Sequence, residues 1–233
     1  MLVLALDTTT RAGSCAVARD GAVVREEASN LSRPHSARLP GELMALLERA
    51  RLPLDAIDVF AVATGPGSFT GLRVGIATMQ GLAFAARRPL IGVSALDALA
   101  RRAAGARPAA GGRIATWVDA WRGEVYAALY ERGVEIDPPV VARPDALLER
   151  YAATGGTAEY LFIGDGAEVY RELIRTRLGA AIADPVAPML AGTIAQMATE
   201  AHRAGGAPPP HAIRPLYVRR PDAELARDAR AAR

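Results

Sequence analysis

The stretch Ala63-Thr64-Gly65-Pro66-Gly67-Ser68-Phe69-Thr70-Gly71-Leu72-Arg73-Val74-Gly75 restricts the fold more than any other part of this 233-residue chain. It follows the apolar run Val59 to Ala63, which reads as a buried strand, and it precedes a proline-free run from Leu72 to Arg88, which reads as a helix. The chain must therefore turn from strand to helix here. Gly65 and Gly67 allow a sharp bend or a close backbone approach, Pro66 fixes one dihedral between them, and Ser68 or Thr70 can cap the helix. Free amides at such a helix start are a place where an anion can sit. Two familiar sites are excluded by spacing. A Walker loop needs lysine after its last glycine, where Leu72 follows Gly71, and the chain contains no lysine. A nucleophile elbow around Ser68 needs glycine where Pro66 and Thr70 stand.

The helix carries a second constraint. Gly71, Gly75, Thr78, Gly81 and Ala85 recur at helical spacing and lay small side chains along one face. Glycine inside a soluble helix costs about 1 kcal/mol relative to alanine, so an offsetting close contact is expected. That contact is either the chain's own sheet or a helix of another chain, and both can hold on different faces. In the second case Gly75→Leu or Gly81→Leu should block pairing and spare the fold.

At this length one large domain or two lobes can form. Cys15 is the only cysteine, so no disulfide framework exists, and a reducing cytoplasm is the expected compartment. The opening Met1 to Leu6 lacks a basic segment and stops at Asp7, unlike a signal peptide, and no apolar run is long enough to span a bilayer; a soluble protein is expected. The formal charge of +3 is mild, and the abundant alanine and arginine read as a compositional bias more than as a nucleic-acid footprint.

Strands are expected at Leu2 to Leu6, which is apolar at every position, and at Ser14 to Arg19 and Ala22 to Glu27 around an Asp20-Gly21 turn. A helix from Ser36 to Arg51 buries Leu39, Leu43, Leu46, Leu47 and Ala50 on one stripe. The strand ending at Ala63, the glycine-bearing helix, the strand Leu90 to Val93 and a helix from Ser94 through Arg102 complete this half. After the glycine-rich segment Gly105 to Gly112 the order returns. Strands are expected at Ile114 to Asp119, Glu124 to Glu131 and Val134 to Val141, a helix at Pro144 to Ala153, a strand at Tyr160 to Ile163, and helices at Ala167 to Leu178 and Met189 to Ala204. Strand-strand-strand-helix-strand-helix thus occurs twice. The division falls at 1–104 and 105–233, with a tail that either stays apart or packs back on the first lobe.

These segments resemble a known family. Leu4-Ala5-Leu6-Asp7-Thr8-Thr9, His35-Ser36, the run Gly65 to Gly75, Asp119-Ala120-Trp121-Arg122-Gly123-Glu124-Val125-Tyr126, Gly164-Asp165-Gly166-Ala167 and Pro215-x-Tyr217-Val218-Arg219 together look like the TsaB (YeaZ) family, over almost the whole chain. The resemblance implies an α/β, two-lobed, duplicated fold of the actin, hexokinase and Hsp70 (ASKHA) class, each lobe a mixed sheet flanked by helices. It implies a non-catalytic subunit in making N6-threonylcarbamoyladenosine next to the tRNA anticodon, paired with the catalytic paralogue TsaD, acting with the ATPase TsaE, and homodimeric when alone. Contact with tRNA would be indirect. The partner-binding residues would be Leu39, Leu43, Leu46, Gly71, Gly75, Thr78, Gly81, Leu82 and Ala85.

The catalytic paralogue carries His-x-x-x-His one helix and one strand after its glycine turn, a spacing that puts two imidazoles on one helical face for a metal. The corresponding residues here are Ala95 and Leu99, neither of which binds metal. His35, His202 and His211 fall in different elements, so a metal site built from them is disfavoured. The fold class also suggests ATP or ADP with magnesium, held by Asp7, Thr8, Thr10, Gly164 and Gly166. Against that, the first hairpin lacks the glycine usual near the phosphates, and Trp121 puts an indole near the second. Asp7 capping a turn is the alternative. Rival functions are a small-molecule kinase or ATPase of the same fold and a glycopeptidase-like metallopeptidase. A direct tRNA-binding role is the weaker idea: Arg219, Arg220, Arg227, Arg230 and Arg233 could touch phosphates, but a charged tail is usually just solvated.

Overall fold

The computed structural model describes residues 1–10, 13–29, 35–106, 112–155, 159–206 and 208–219. Both halves of the chain build the same sheet. In the first, β1 (Leu2–Asp7), β2 (Ser14–Arg19), β3 (Ala22–Ala28), β4 (Val59–Gly65) and β5 (Leu90–Ser94) stand in the order β3-β2-β1-β4-β5. The three leading strands are antiparallel, and β1, β4 and β5 run parallel. The second sheet comprises β6 (Arg113–Asp119), β7 (Val125–Glu131), β8 (Val134–Ala142), β9 (Tyr160–Ile163) and β10 (Ala181–Ile182), in the order β8-β7-β6-β9-β10. Topologically the two sheets are copies. β10 has two residues, too few to show a period in the sequence.

The helices are α1 (His35–Arg49), α2 (Phe69–Ala86), α3 (Ala95–Ala106), α4 (Pro144–Gly155), α5 (Asp165–Val169), α6 (Arg171–Leu178) and α7 (Ala191–Arg203). The single helix expected from Ala167 to Leu178 is two, because Tyr170 leaves the helical region at φ −106°, ψ 22°. The expected division at residue 104 falls inside α3, and 107–111 lie outside the described residues.

Strand parity distributes the side chains into layers. Leu2, Leu4 and Leu6 of β1 point to an outer core with Leu39, Leu43, Leu46 and Leu47 of α1 and Ile76, Met79 and Ala83 of α2. The opposite face of the same sheet is small: Val3, Ala5, Ala16, Ala18, Ala61 and Ala63 meet Ala191, Ile194, Ala195 and Ala198 of α7. The second sheet mirrors this. Trp117 and Phe162 pack outward with Leu147, Leu148 and Tyr151 of α4, while Val118, Ala128, Leu161 and Ile163 face inward toward Leu96 and Leu99 of α3.

Helices α3 and α7 thus form one middle layer that joins the sheets through a shared core. Each is anchored by the opposite half. Ser14 Oγ accepts from the amides of Leu190 and Ala191 at 3.2 and 3.1 Å, Glu26 Oε1 accepts from Gly192 N at 2.7 Å, and Tyr130 Oη donates to Asp97 at 2.6 Å. The amides at the start of α7, which need acceptors at a helix end, find them on the first sheet.

Candidate functional site

The glycine turn folds onto the end of β1. Gly65 adopts φ +108°, which a side chain would oppose, and Ser68 Oγ caps α2 by accepting from Gly71 N at 3.2 Å. Ser68 N donates to Thr9 O at 2.9 Å. A Cβ at Gly67 would lie 2.7 Å from Thr9 Cα, and one at Gly71 would overlap Thr8 O. Glycine is required here because two backbones touch. The turn therefore closes over the first hairpin, and the close approach the sequence calls for is made within the chain.

Between the halves lies a cleft of about 760 Å³, lined by Asp7, Thr10 and Ser68 on one side and Asp119, Gly164 and Asp165 on the other. The two walls repeat one device. Asp7 Oδ1 accepts from Thr9 N at 2.8 Å and Thr9 Oγ1 at 2.6 Å; Asp119 Oδ1 accepts from Trp121 N at 3.0 Å; and Asp165 Oδ1 accepts from Asp119 N at 3.0 Å. Asp7 and Asp119 each close their own turn, while Asp165 ties the start of α5 to the end of β6. Burial pushes the Asp7 carboxyl above the usual carboxylate range, against the pull of its bonds to Thr9, and burial likewise raises Asp165, with the Asp119 charge adding to it.

These residues do not fit a phosphate cradle. Thr8 is buried, and its hydroxyl lies where a Cβ on Gly75 would sit, away from the cleft. A Cβ at Gly164 would lie 2.9 Å from Trp117 C, and one at Gly166 would lie 3.0 Å from Val118 C, so both glycines serve the crossing of α5 over β6. Of the five expected nucleotide contacts, Asp7, Thr10 and Gly164 line the cleft, and Thr8 and Gly166 do not. No step is assigned to a nucleotide or to magnesium there.

The small-residue stripe of α2 divides along its length. Gly71 and Gly75 are buried against Thr8, while Gly81 and Ala85 are exposed and Thr78 and Leu82 are half-buried. Leu39, Leu43 and Leu46 are fully covered by the chain's own sheet. These three leucines and the two inner glycines thus offer no surface to a partner, a correction to the sequence-based expectation. The physical reason is that their stripe is the one that closes the outer core. The outward residues of this layer are Ala77, Gly81, Phe84 and Ala85 of α2 and Met44 of α1; Phe84 is 82% and Met44 49% exposed. A helix apolar on nearly every side is suited to burying two faces, and among the described residues only one face of α2 is covered. Phe84 was not singled out by spacing, since it stands outside the small-residue set; its signal is a large apolar residue on a face already rich in alanine.

Ala95 and Leu99 are buried in the middle layer. Among the described residues no group of His, Cys, Asp and Glu is arranged to hold a metal, and the side chain of His35 lies outside them. Arg219 donates to Ala120 O at 2.8 Å and pairs with Glu124. Arg220, Arg227, Arg230 and Arg233 lie outside the described residues. No helix among the described residues is long and apolar enough to cross a membrane.

Two copies of one mixed sheet, with a helix from each half crossed between them and a cleft at the strand ends, define the two-lobed actin-like class. Solved structures of low identity share that fold: the (R)-2-hydroxyglutaryl-CoA dehydratase component A of Acidaminococcus fermentans superposes with a TM-score of 0.55 at 12% identity, covering 86% of this chain and 98% of the other. Closer similarity is found with YeaZ from Pseudomonas aeruginosa, at a TM-score of 0.74 and 31% identity over 93% of this chain and 99% of that one. The tRNA threonylcarbamoyladenosine biosynthesis protein TsaB of Escherichia coli is 36% identical, covering 74% of this chain and 75% of its own length, and that of Bacillus subtilis 30% identical, covering 77% of each. The family model for TsaD, tRNA N6-adenosine threonylcarbamoyltransferase, matches residues 9–226. The chain belongs to the TsaB (YeaZ) family, within the wider group that this model describes.

Proposed function

We propose that the chain acts in tRNA threonylcarbamoyladenosine biosynthesis as the non-catalytic partner of a TsaD-like transferase, working with a TsaE-like ATPase, and that it self-pairs when alone. The single observation behind the pairing is the α2 face on which Phe84, 82% exposed, stands beside Gly81, where a Cβ would meet open space. A large ring next to a vacancy is a knob and a hole, the arrangement by which helices of two chains interlock. The second α2 face is apolar and exposed among the described residues, so a partner helix would supply what the chain's own core supplies on the other face. The TsaB relatives support the pathway, and alanine and leucine at positions 95 and 99 support a reading in which metal-assisted transfer belongs to the partner. Pairing would act by preferring one conformation of that partner.

The test is reconstitution of tRNA modification from purified transferase and ATPase, with and without this chain. Omission should abolish or strongly reduce product. Phe84→Asp should prevent co-purification with the transferase while leaving the circular dichroism spectrum unchanged, because Phe84 contributes little to the chain's own core. Full modification without this chain would overturn the reading, and wild-type stoichiometry with Phe84→Asp would overturn the assigned face.

A further inference from the structure

The C-terminal segment, residues 208–219, touches both halves of the molecule. Its root is on α2: Gln80 Nε2 donates to Pro210 O at 2.9 Å and to Ile213 O at 3.1 Å, and Ile213 is buried over Gly92 of β5, where a Cβ would lie 3.3 Å from Ile213 Cγ2. Leu216 N then donates to Thr64 O at 2.7 Å near the end of β4, and Arg73 Nε donates to Tyr217 Oη at 2.9 Å. Three residues beyond Leu216 the segment reaches the other half. Arg219 Nη1 donates to Ala120 O at 2.8 Å, and the guanidinium pairs with Glu124, both in the β6–β7 connection. The glycine turn, the β6–β7 connection and this segment enclose a second cavity of about 510 Å³, which adjoins the cleft at Ser68 and Trp121. The segment therefore runs from one wall of the cleft to the other.

This link is short. The step from Leu216 to Arg219 spans at most about 10–11 Å when fully extended. With the Leu216 amide fixed to β4, the segment has little chain to pay out, so parting the walls of the cleft has to break either that bond or the hold of Arg219 on Ala120 and Glu124. The middle layer resists such motion differently. Its core of α3 and α7 is apolar and rich in alanine, and apolar contact is non-directional, so packed helices of this kind yield by small sliding steps. The strap in turn has no helix or strand of its own between 213 and 219, and Arg214, Leu216 and Tyr217 are exposed. Its order comes from the named bonds and from Ile213, which makes it an element that a few contacts fasten or free.

We propose that residues 213–219 are a latch that sets the width of the cleft. Fastened, the latch holds the β6–β7 connection against the glycine turn; released at Arg219, it lets the two lobes part about the middle layer. Ile213 and Gln80 keep the root in place when the far end lets go, so release is local and reversible. The root on α2 also joins the helix that carries Phe84 to the far wall of the cleft. The inference stands on the bonds of the strap itself and is independent of what α2 pairs with.

The distance between the lobes is the readout. In the full-length chain with Cys15→Ala, spin labels on Asp55→Cys in the first lobe and Glu149→Cys in the second, both exposed positions, report the separation by double electron–electron resonance, and an excess of unlabelled protein suppresses distances between chains. With the latch intact the distribution should be single and narrow. Arg219→Ala should broaden it and shift it to longer distance, and Arg219→Lys, which keeps a charge for Glu124, should recover part of the narrow distribution. Glu124→Gln leaves Ala120 O in place as an acceptor and is the milder variant; it should move the distribution the same way by less. Circular dichroism of each variant establishes that it is folded. A broad distribution with the latch intact, or one unchanged in both Arg219→Ala and Glu124→Gln, overturns the proposal. Faster proteolysis of the strap in Arg219→Ala at an unchanged distance overturns it as well, because the segment then fastens only itself.

Discussion

Alanine substituted at two glycines of the same helix should have opposite effects. Taken alone, helix preference favours alanine over glycine by about 1 kcal/mol at either position. At Gly81 nothing lies within 4 Å of the added Cβ, so Gly81→Ala should stabilise the fold by about 0.4–1 kcal/mol. At Gly75 the added Cβ overlaps Thr8 Oγ1 and lies 3.1 Å from Thr8 Cγ2 and 3.2 Å from Thr8 Cβ. Rotation about χ1 cannot relieve the contact with Thr8 Cβ, and Thr8 cannot retreat because its carbonyl rests against Gly71. Overpacking of this kind costs about 1–3 kcal/mol. With the upper part of that range set against the helix gain, Gly75→Ala should destabilise by about 1–2 kcal/mol, and the two variants should differ by about 1.4–3 kcal/mol. Urea denaturation at matched m-value measures both. Thr8 Oγ1 is buried with no hydrogen-bond partner, so Thr8→Ala loses no bond and should restore much of the stability lost in Gly75→Ala. Equal stabilisation by the two alanines would refute the packing of α2 on the first hairpin.

Other perturbations test separate parts of the structure. Burial pushes the Cys15 thiol up to about 12, so iodoacetamide at pH 8 should leave the folded chain unlabelled and modify Cys15 only in denaturant. Because the folded-state pKa of Asp7 is raised, its contribution to stability is full below the unfolded value near 3.8 and is lost as pH rises through the folded value. Asp7→Asn, which keeps an acceptor for Thr9, should therefore gain on the wild type in thermal denaturation as pH climbs from about 4 to 7; a gap constant with pH would refute the shift. Arg219→Ala removes the bonds from the C-terminal segment to Ala120 and Glu124, and for a partly exposed pair it should cost about 0.5–1 kcal/mol. Limited proteolysis should then cut first between 208 and 219.

What the sequence made legible was what lies within one element or one turn. The uniformly apolar Leu2 to Leu6 is covered on both faces, and the doubled order of elements is the doubled sheet. What it hid were contacts that bring distant segments together. Nothing in the amphipathic pattern of α7 tells which sheet it covers, and it lies on the one built by residues 2–94. A clue was present in alternation: Ala5, Ala16, Ala18, Ala61 and Ala63 share one face, a flat surface suited to a close helix, although alanine abundance reads first as composition. The stripe on α2 was correct in its spacing and divided in its purpose, because helical periodicity identifies a face without saying where along it Thr8 ends and open surface begins. For the second cavity, the residue types of its three walls were each visible, but their meeting depends on Leu216 N bonding to Thr64 O, a pairing across 152 positions that no local rule supplies.

The crossed helices also set when the molecule can form. The alanine face of the first sheet gains most of its cover from α7, so for most of translation that face of the nascent chain lacks its main partner. While the ribosome is still adding residues, that face is open to chaperones and to other unfinished chains. Completion of the protein therefore waits for α7, well after the strands it covers have been made.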